Sequence, residues 1–139
     1  MNVKIINKSC FDLPEYKTEG SAGMDLQSTL DFTLKPLERK LIPTDLYMEI
    51  PKGVEAQIRP RSGHSLKTGL MVILGTIDSD YRGNVGVIVC NLSDSLLHIE
   101  KGERIAQIVF NRVEQASFIN VEELLETERG SGGFGSTGK

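Results

Sequence analysis

The chain has 139 residues, 39% hydrophobic and 25% charged, the make-up of one soluble globular domain with its own core rather than of a disordered segment. Sixteen Lys+Arg against nineteen Asp+Glu leave a net charge of -3, which argues against a general nucleic-acid binder. The longest apolar run, Leu70 to Leu74, is too short for a membrane span, and MNVKIINKSC has no apolar stretch leading to a small-residue cleavage site, so a cytoplasmic chain is expected.

In chain order, Val3 to Ile6, Asp31 to Leu34, Leu46 to Ile50, Val54 to Ile58, Val85 to Cys90 and Ile105 to Phe110 read as short strands. Turn-formers separate them: Pro36, Pro43-Thr44-Asp45, Pro51-Lys52-Gly53, Asn91 to Asp94 and Lys101-Gly102. Val54, Ala56 and Ile58 alternate with Glu55 and Gln57, the period of a strand with one wet face. Val85 to Cys90 is apolar or Gly on both faces and is expected inside. A short helix is expected from Ser62 to Lys67, with Gly63 counting against it. A better-signalled helix is expected over Val121 to Thr127, capped by Asn120 and with Glu122 and Glu123 in its first turn. Such spacing predicts an all-β fold, a jelly-roll-like barrel or sandwich of many short strands. Cys10 and Cys90 lie far apart with no Cys or His at ligand spacing, so two reduced thiols are expected, Cys90 buried in its strand, and no zinc site.

The C-terminal string RGSGGFGSTG, from Arg129 to Gly138, cannot build a core. The chain therefore divides into a β domain over 1–128 and a flexible Gly-rich tail over 129–139. A linker has no use for an Arg at its head or for Phe134 in water; both suit a tail that closes on an anionic ligand with a flat ring. Five of the seven arginines (Arg59, Arg61, Arg82, Arg104 and Arg129) sit in segments that also hold a glycine. Guanidinium forks match phosphate oxygens and glycine exposes backbone N–H groups, so an acidic chain that gathers them points to a local phosphate site. A Ser/His triad gains no support from the adjacent His64-Ser65 pair, and neither a P-loop nor a dinucleotide fingerprint is present. Asp78, in GTIDSDYRG after an apolar strand, is either a general base or, with Asp80, a turn-former. Asp25, in SAGMDL, is either a turn residue or a negative group for a metal–phosphate complex.

Five segments in order are similar to the motifs of the trimeric dUTPases. They are Ala22-Gly23-Met24-Asp25-Leu26, Pro60-Arg61-Ser62-Gly63, the run from Gly75 to Gly83, Gly102-Glu103-Arg104-Ile105-Ala106-Gln107, and Arg129 to Gly138. The resemblance implies hydrolysis of dUTP to dUMP and pyrophosphate with Mg2+, which limits uracil in DNA and supplies dUMP for dTMP synthesis. It also implies a homotrimer whose sites draw on several chains, in the cytoplasm (or a nucleus, if the source is viral or eukaryotic), with no nucleic-acid or membrane partner. By position, Asp78 is implied as the base that activates water, and Asp25 as a contact to the metal through water. Tyr81 is implied to lie under the deoxyribose and exclude a 2′-hydroxyl. Gly75, Thr76 and Ile77, with the hairpin around Leu70 to Thr76, are implied to read the uracil edge. Arg61, Ser62, Gly63, Gln107 and Arg129 are implied at the phosphates, and Phe134, with Gly135 and Ser136, over the ring.

The chain departs from the family pattern at Asn84, where a Glu usually follows the glycine of the third motif, and at His64, where an apolar residue is usual. It also lacks the Asn that some relatives place between Met71 and Leu74. A dCTP deaminase on the same fold is the alternative reaction; it fits less well, since there is no Glu between Leu66 and Val89 and the Arg-headed tail is present. A nucleotide-sensing or protein-binding module is the non-enzymatic alternative.

Overall fold

A computed structural model describes residues 1–133. Eleven strands and one helix follow in order: β1 (Lys4–Asn7), β2 (Met24–Gln27), β3 (Phe32–Leu34), β4 (Arg39–Pro43), β5 (Leu46–Glu49), β6 (Val54–Arg59), α1 (Ser62–Thr68), β7 (Leu70–Val72), β8 (Gly75–Ile77), β9 (Gly86–Asn91), β10 (Leu97–Ile99) and β11 (Arg104–Arg112). All pairings are antiparallel. They form a four-stranded sheet in the order β2-β11-β6-β8, a three-stranded sheet β4-β9-β7, and the pairs β1-β5 and β3-β10. The all-β expectation holds, and every anticipated strand is present within a residue or two at each end.

Period-two alternation builds the core. Along β6, Ala56 and Ile58 are buried while Glu55, Gln57 and Arg59 face outward. Because opposed residues share a face, the register Asp25–Gln107–Arg59 puts three polar side chains in one row on the outer face. The neighbouring row, Met24–Ile108–Ile58–Gly75, turns into the core. Strand β11 lies between β2 and β6, and its Ile105, Ala106 and Ile108 are fully buried.

Three expectations are corrected. No helix forms over Val121–Thr127; the segment lacks regular structure, with Leu124 87% and Leu125 95% exposed. Its apolar spacing is helical, but so short a helix is marginal in water without a surface to bury that stripe, and the described residues offer it none. The weaker helical signal is the one that folds: α1 ends on Gly69 in the left-handed conformation (φ 75), whose N–H bonds the Ser65 carbonyl. Second, β9 buries one face only. Val85, Val87 and Val89 are enclosed, Ile88 is exposed beside its partner Leu41, and Cys90 is half-buried, because none of the described residues covers the outer face of β4-β9-β7. Third, Leu70 to Thr76 is not a hairpin: β7 pairs with β9 and β8 with β6, so Ile73 and Leu74 carry the chain from one sheet to the other. Cys10 and Cys90 are both free, and His98 is a surface residue whose Nδ1 is 3.1 Å from Thr33 Oγ1.

The packing gives a direct stability test. Ile108→Ala removes a side chain with no exposure in the central strand and is expected to cost about 2–5 kcal/mol in urea unfolding, whereas Leu41→Ala on the open face should cost far less.

Candidate functional site

Three elements meet around a cavity of about 700 Å3. β2 brings Asp25, the first turn of α1 brings Ser62 and Gly63 with Arg61 just before it, and β11 brings Arg104 and Gln107. The structure thus gathers Asp25, Arg61, Ser62, Gly63 and Gln107 of the anticipated site residues into one place. It adds Lys17, Gly23, His64, Lys67, Glu103 and Arg104, which had not been assigned to the site. Arg104 was foreshadowed by its glycine-rich surroundings. Lys17 carries no local signal, because the long 8–23 segment folds back to reach the cavity.

Asp25 organises the charge. Its Oδ1 forms an ion pair with Arg61 Nε at 2.7 Å, and its Oδ2 accepts a hydrogen bond from Arg104 Nη1 at 3.1 Å. Arg61 also donates through Nη1 to the Arg104 carbonyl at 3.0 Å. With Lys17 and Lys67 the lining holds four basic side chains against the carboxylates of Asp25 and Glu103, a local positive excess within an acidic chain. Helix α1 carries no acidic residue in its first turn and no side-chain cap, so its leading N–H groups are left to whatever occupies the cavity.

Gln107 is aimed by its neighbours. Its Nε2 donates to the Pro60 carbonyl at 2.9 Å, and a Cβ added at Gly23 would lie 2.6 Å from its Oε1. A side chain at position 23 would therefore displace the Gln107 amide. His64, nearly buried, sets Nδ1 2.8 Å from Thr68 Oγ1. Its Nε2 lies 3.0 Å from Glu103 Oε1, close enough for charge attraction but not aligned as a hydrogen bond, so this departure from the family pattern links α1 to the turn before β11.

The remaining anticipated residues lie elsewhere. Gly75, Thr76 and Ile77 form β8, Asp78 follows it on an exposed turn closed by the Tyr81 N–H to the Asp78 carbonyl at 3.1 Å, and Tyr81 is 44% exposed. Continuing the β8 register puts Asp78 some four residues along and three strands across from Asp25, about 13 Å by about 14 Å. Arg129 is exposed, its Nε donating to the Gly132 carbonyl at 2.8 Å. Phe134, Gly135 and Ser136 lie outside the described residues.

Among the described residues no three His, Cys, Asp or Glu side chains could cage a metal, and no helix is long and apolar enough to cross a membrane. Mg2+ tends to keep several waters and to bind through one or two carboxylates plus substrate phosphates. Asp25, one of two carboxylates on this cavity, fits that habit and would accept from metal-bound water.

The dUTPase family model matches residues 10–138. The chain belongs to the dUTPase family. It is 52% identical to the deoxyuridine 5'-triphosphate nucleotidohydrolase of Fusobacterium nucleatum over 100% of this chain and 98% of the relative. It is 55% identical to that of Finegoldia magna over 99% of each. Among solved structures, a Staphylococcus bacteriophage 80alpha dUTPase with dUpNHpp superposes with a TM-score of 0.93 at 32% identity over 99% of each chain. A phage phi11 dUTPase described with a structural Mg(II) ion superposes at 0.82 with 27% identity over 88% of this chain and 98% of that one. The jelly-roll-like β fold of this dUTPase matches these neighbours over 88–99% of its length.

The crowding at Gly23 yields a prediction. Gly23→Ala is expected to push Gln107 off the Pro60 carbonyl and raise KM for the nucleotide about tenfold, roughly 1.4 kcal/mol, with little change in Tm; steady-state kinetics beside thermal melting checks this.

Proposed function

We propose that this dUTPase hydrolyses dUTP to dUMP and pyrophosphate by water attack on the α-phosphorus, in sites completed by more than one copy of the chain. The product supplies dUMP for dTMP synthesis, and the reaction keeps uracil out of DNA. The observation that carries the reading is the convergence of Asp25, Arg61, Ser62 and Gln107, from three separate elements, on one cavity with a positive lining. A triphosphate needs such a site, since phosphoryl transfer depends chiefly on positioning and charge neutralisation.

In this mechanism Arg61, Gln107 and the N–H groups of Ser62 and Gly63 orient the phosphates. Asp78 takes a proton from the attacking water as its oxygen bonds to the α-phosphorus, while the bond to the bridging oxygen breaks and pyrophosphate leaves. Mg2+, when bound, neutralises phosphate charge, and Asp25 accepts hydrogen bonds from its waters. Tyr81 lies against the deoxyribose, and the β8 backbone at Gly75, Thr76 and Ile77 meets the uracil edge. Residues 129–139 act as a lid, Arg129 reaching the phosphates and Phe134, Gly135 and Ser136 covering the ring and shedding water.

The separation of Asp78 from the cavity within one chain supports an assembly in which one copy's turn faces another's cavity, and a homotrimer is the form adopted here. The segment after β11 supports it too. Phe118 is 99% exposed, with Ile119, Leu124 and Leu125 nearly as bare, an apolar arm that needs a cover. An apolar groove of about 210 Å3, lined by Val3, Ile5, Leu13, Tyr16, Met24 and Phe110, is of the right chemistry to receive such an arm from a neighbour.

Pyrophosphate release with Mg2+ is expected from dUTP and not from UTP, dTTP or dCTP; ammonia from dCTP would overturn the reading. Asp78→Asn should reduce kcat by about 10²–10⁴ while leaving affinity for a non-hydrolysable dUTP analogue nearly unchanged. Shared sites make a further prediction. Inactive Asp78→Asn and Asp25→Asn chains, unfolded and refolded together, should regain activity that neither shows alone, and no recovery in mixed oligomers would place both residues in one chain's site.

A further inference from the structure

We propose that Asn84 is a positioning residue for Tyr81: its amide locks the turn at Asp45 and thereby fixes the main-chain carbonyl on which the tyrosine hydroxyl rests. The proposal rests on the reading of Tyr81 as the sugar contact and adds the device that orients it.

Tyr81 is supported from one side only. Its hydroxyl donates to the Asn84 carbonyl at 3.1 Å, and its ring folds over Gly83 so closely that a Cβ there would lie 2.2 Å from Oη and 2.4 Å from Cζ. Arg82 takes no part in this support, since its Nη1 turns back to the carbonyls of Ser79 and Tyr81, each at 2.8 Å. With 44% of the residue exposed, the ring is seated beneath by backbone and open above. Its angle to a sugar therefore depends on where the 83–84 backbone is held.

That backbone is held by the turn between β4 and β5. Asn84 Oδ1 accepts from the Asp45 N–H at 3.0 Å, and Asn84 Nδ2 donates to Asp45 Oδ1 at 2.8 Å. Asp45 has a φ of 58, the left-handed region that few residues other than Gly, Asn and Asp enter readily. Next to this pair, Thr44 donates to the Val85 carbonyl from N at 3.0 Å and from Oγ1 at 2.7 Å, and the Val85 N–H reaches the Leu46 carbonyl at 2.8 Å. Five hydrogen bonds thus join 84–85 to 44–46, and the two made by the Asn84 side chain are the pair that depends on a residue presenting one acceptor and one donor. The glutamate usual at this position presents acceptors only and would set a second carboxylate against Asp45. Asn84 and Asp45 are a matched pair.

The test compares kcat/KM for dUTP and UTP, with Tm, in the full-length protein carrying Asn84→Asp alone or with Asp45→Asn. The single change removes the donor and opposes two carboxylates; the double change returns one amide and one carboxylate with their places exchanged, and the N–H of residue 45 keeps its acceptor. The single variant is expected to lose about tenfold in its preference for dUTP over UTP, and the double variant to return to within about threefold of the original. If Asn84→Asp does not fold, Asn84→Ala, which removes both bonds without adding charge, is expected to show the same loss. A fall in Tm with the preference unchanged, or no recovery in the double variant, overturns the proposal. Tyr81→Ala separates the two readings: an unchanged preference there defeats the sugar role of Tyr81 itself, whereas a loss there without one in the Asn84 variants defeats only the positioning role.

Discussion

The salt-bridged triad of Arg61, Asp25 and Arg104 is what permits an acidic chain to concentrate positive charge at one spot. Two guanidinium groups at the same rim repel each other; a carboxylate ion-paired to one at 2.7 Å and hydrogen-bonded to the other at 3.1 Å offsets that repulsion. The triad also ties β2, the entry to α1 and β11 together, so the electrostatics of the cavity and the docking of α1 on the sheet are one arrangement. The Arg61 bond to the Arg104 carbonyl, at 3.0 Å, adds a tether that does not use the carboxylate. Arg61 therefore acts first as the bracket of the site, and any phosphate it meets finds a guanidinium already aimed.

The same arrangement bears on the proposal that more than one copy completes the site. In the cavity the Asp25 carboxylate is paired to two arginines and Glu103 lies beside His64, whereas the exposed turn after β8 holds Asp78 and an aromatic ring with no cation paired to them among the described residues. Each half is stable as it stands because each is exposed to water. Bringing them together inside one chain would have required a long excursion of the β8–β9 connection, with backbone polar groups left unpaired on the way. Bringing them together between copies, as proposed, would require only that two surfaces meet, and the segment after β11 exposes Phe118, Ile119, Leu124 and Leu125.

Much of this was legible in the sequence, and the rest failed for identifiable physical reasons. Alternation exposed β6, and turn-formers bracketed β5, because both signals are local. β2 and β10 escaped since each is short and interrupted by polar residues, Asp25 and Gln27 in one and His98 in the other, that make sense only once the sheet gives them an outer face. β4, with exposed Arg39, Lys40 and Leu41, has one fully buried residue, Ile42, and is held by its pairing with β9 rather than by its own pattern. The helix anticipated over Val121–Thr127 has every local requirement except a surface to lie on, and α1 has few local requirements but a left-handed glycine that stops it cleanly. Local preference decided neither case; tertiary context did. Of the residues expected at the site, Asp25, Arg61, Ser62, Gly63 and Gln107 line the cavity, while Lys17 reaches it through folding that no short window reveals.

The glycines carry a last correction. Glycine beside arginine was read as backbone bared for phosphate, and Ser62–Gly63 lie on the cation-lined cavity. At Gly23 and Gly83 the geometry serves something else: a Cβ would strike Gln107 Oε1 at 2.6 Å in one and Tyr81 Oη at 2.2 Å in the other. Neither residue has the positive φ that would itself demand glycine. What each supplies is absent volume, into which a functional side chain from another part of the site is laid flat against the main chain. A side chain seated this way loses rotamer freedom before substrate arrives, so less is lost on binding. In this fold the motif glycines are therefore part of how Gln107 and Tyr81 are pre-organised, and their spacing in the sequence reports the positions of the side chains they accommodate as much as the path of the backbone.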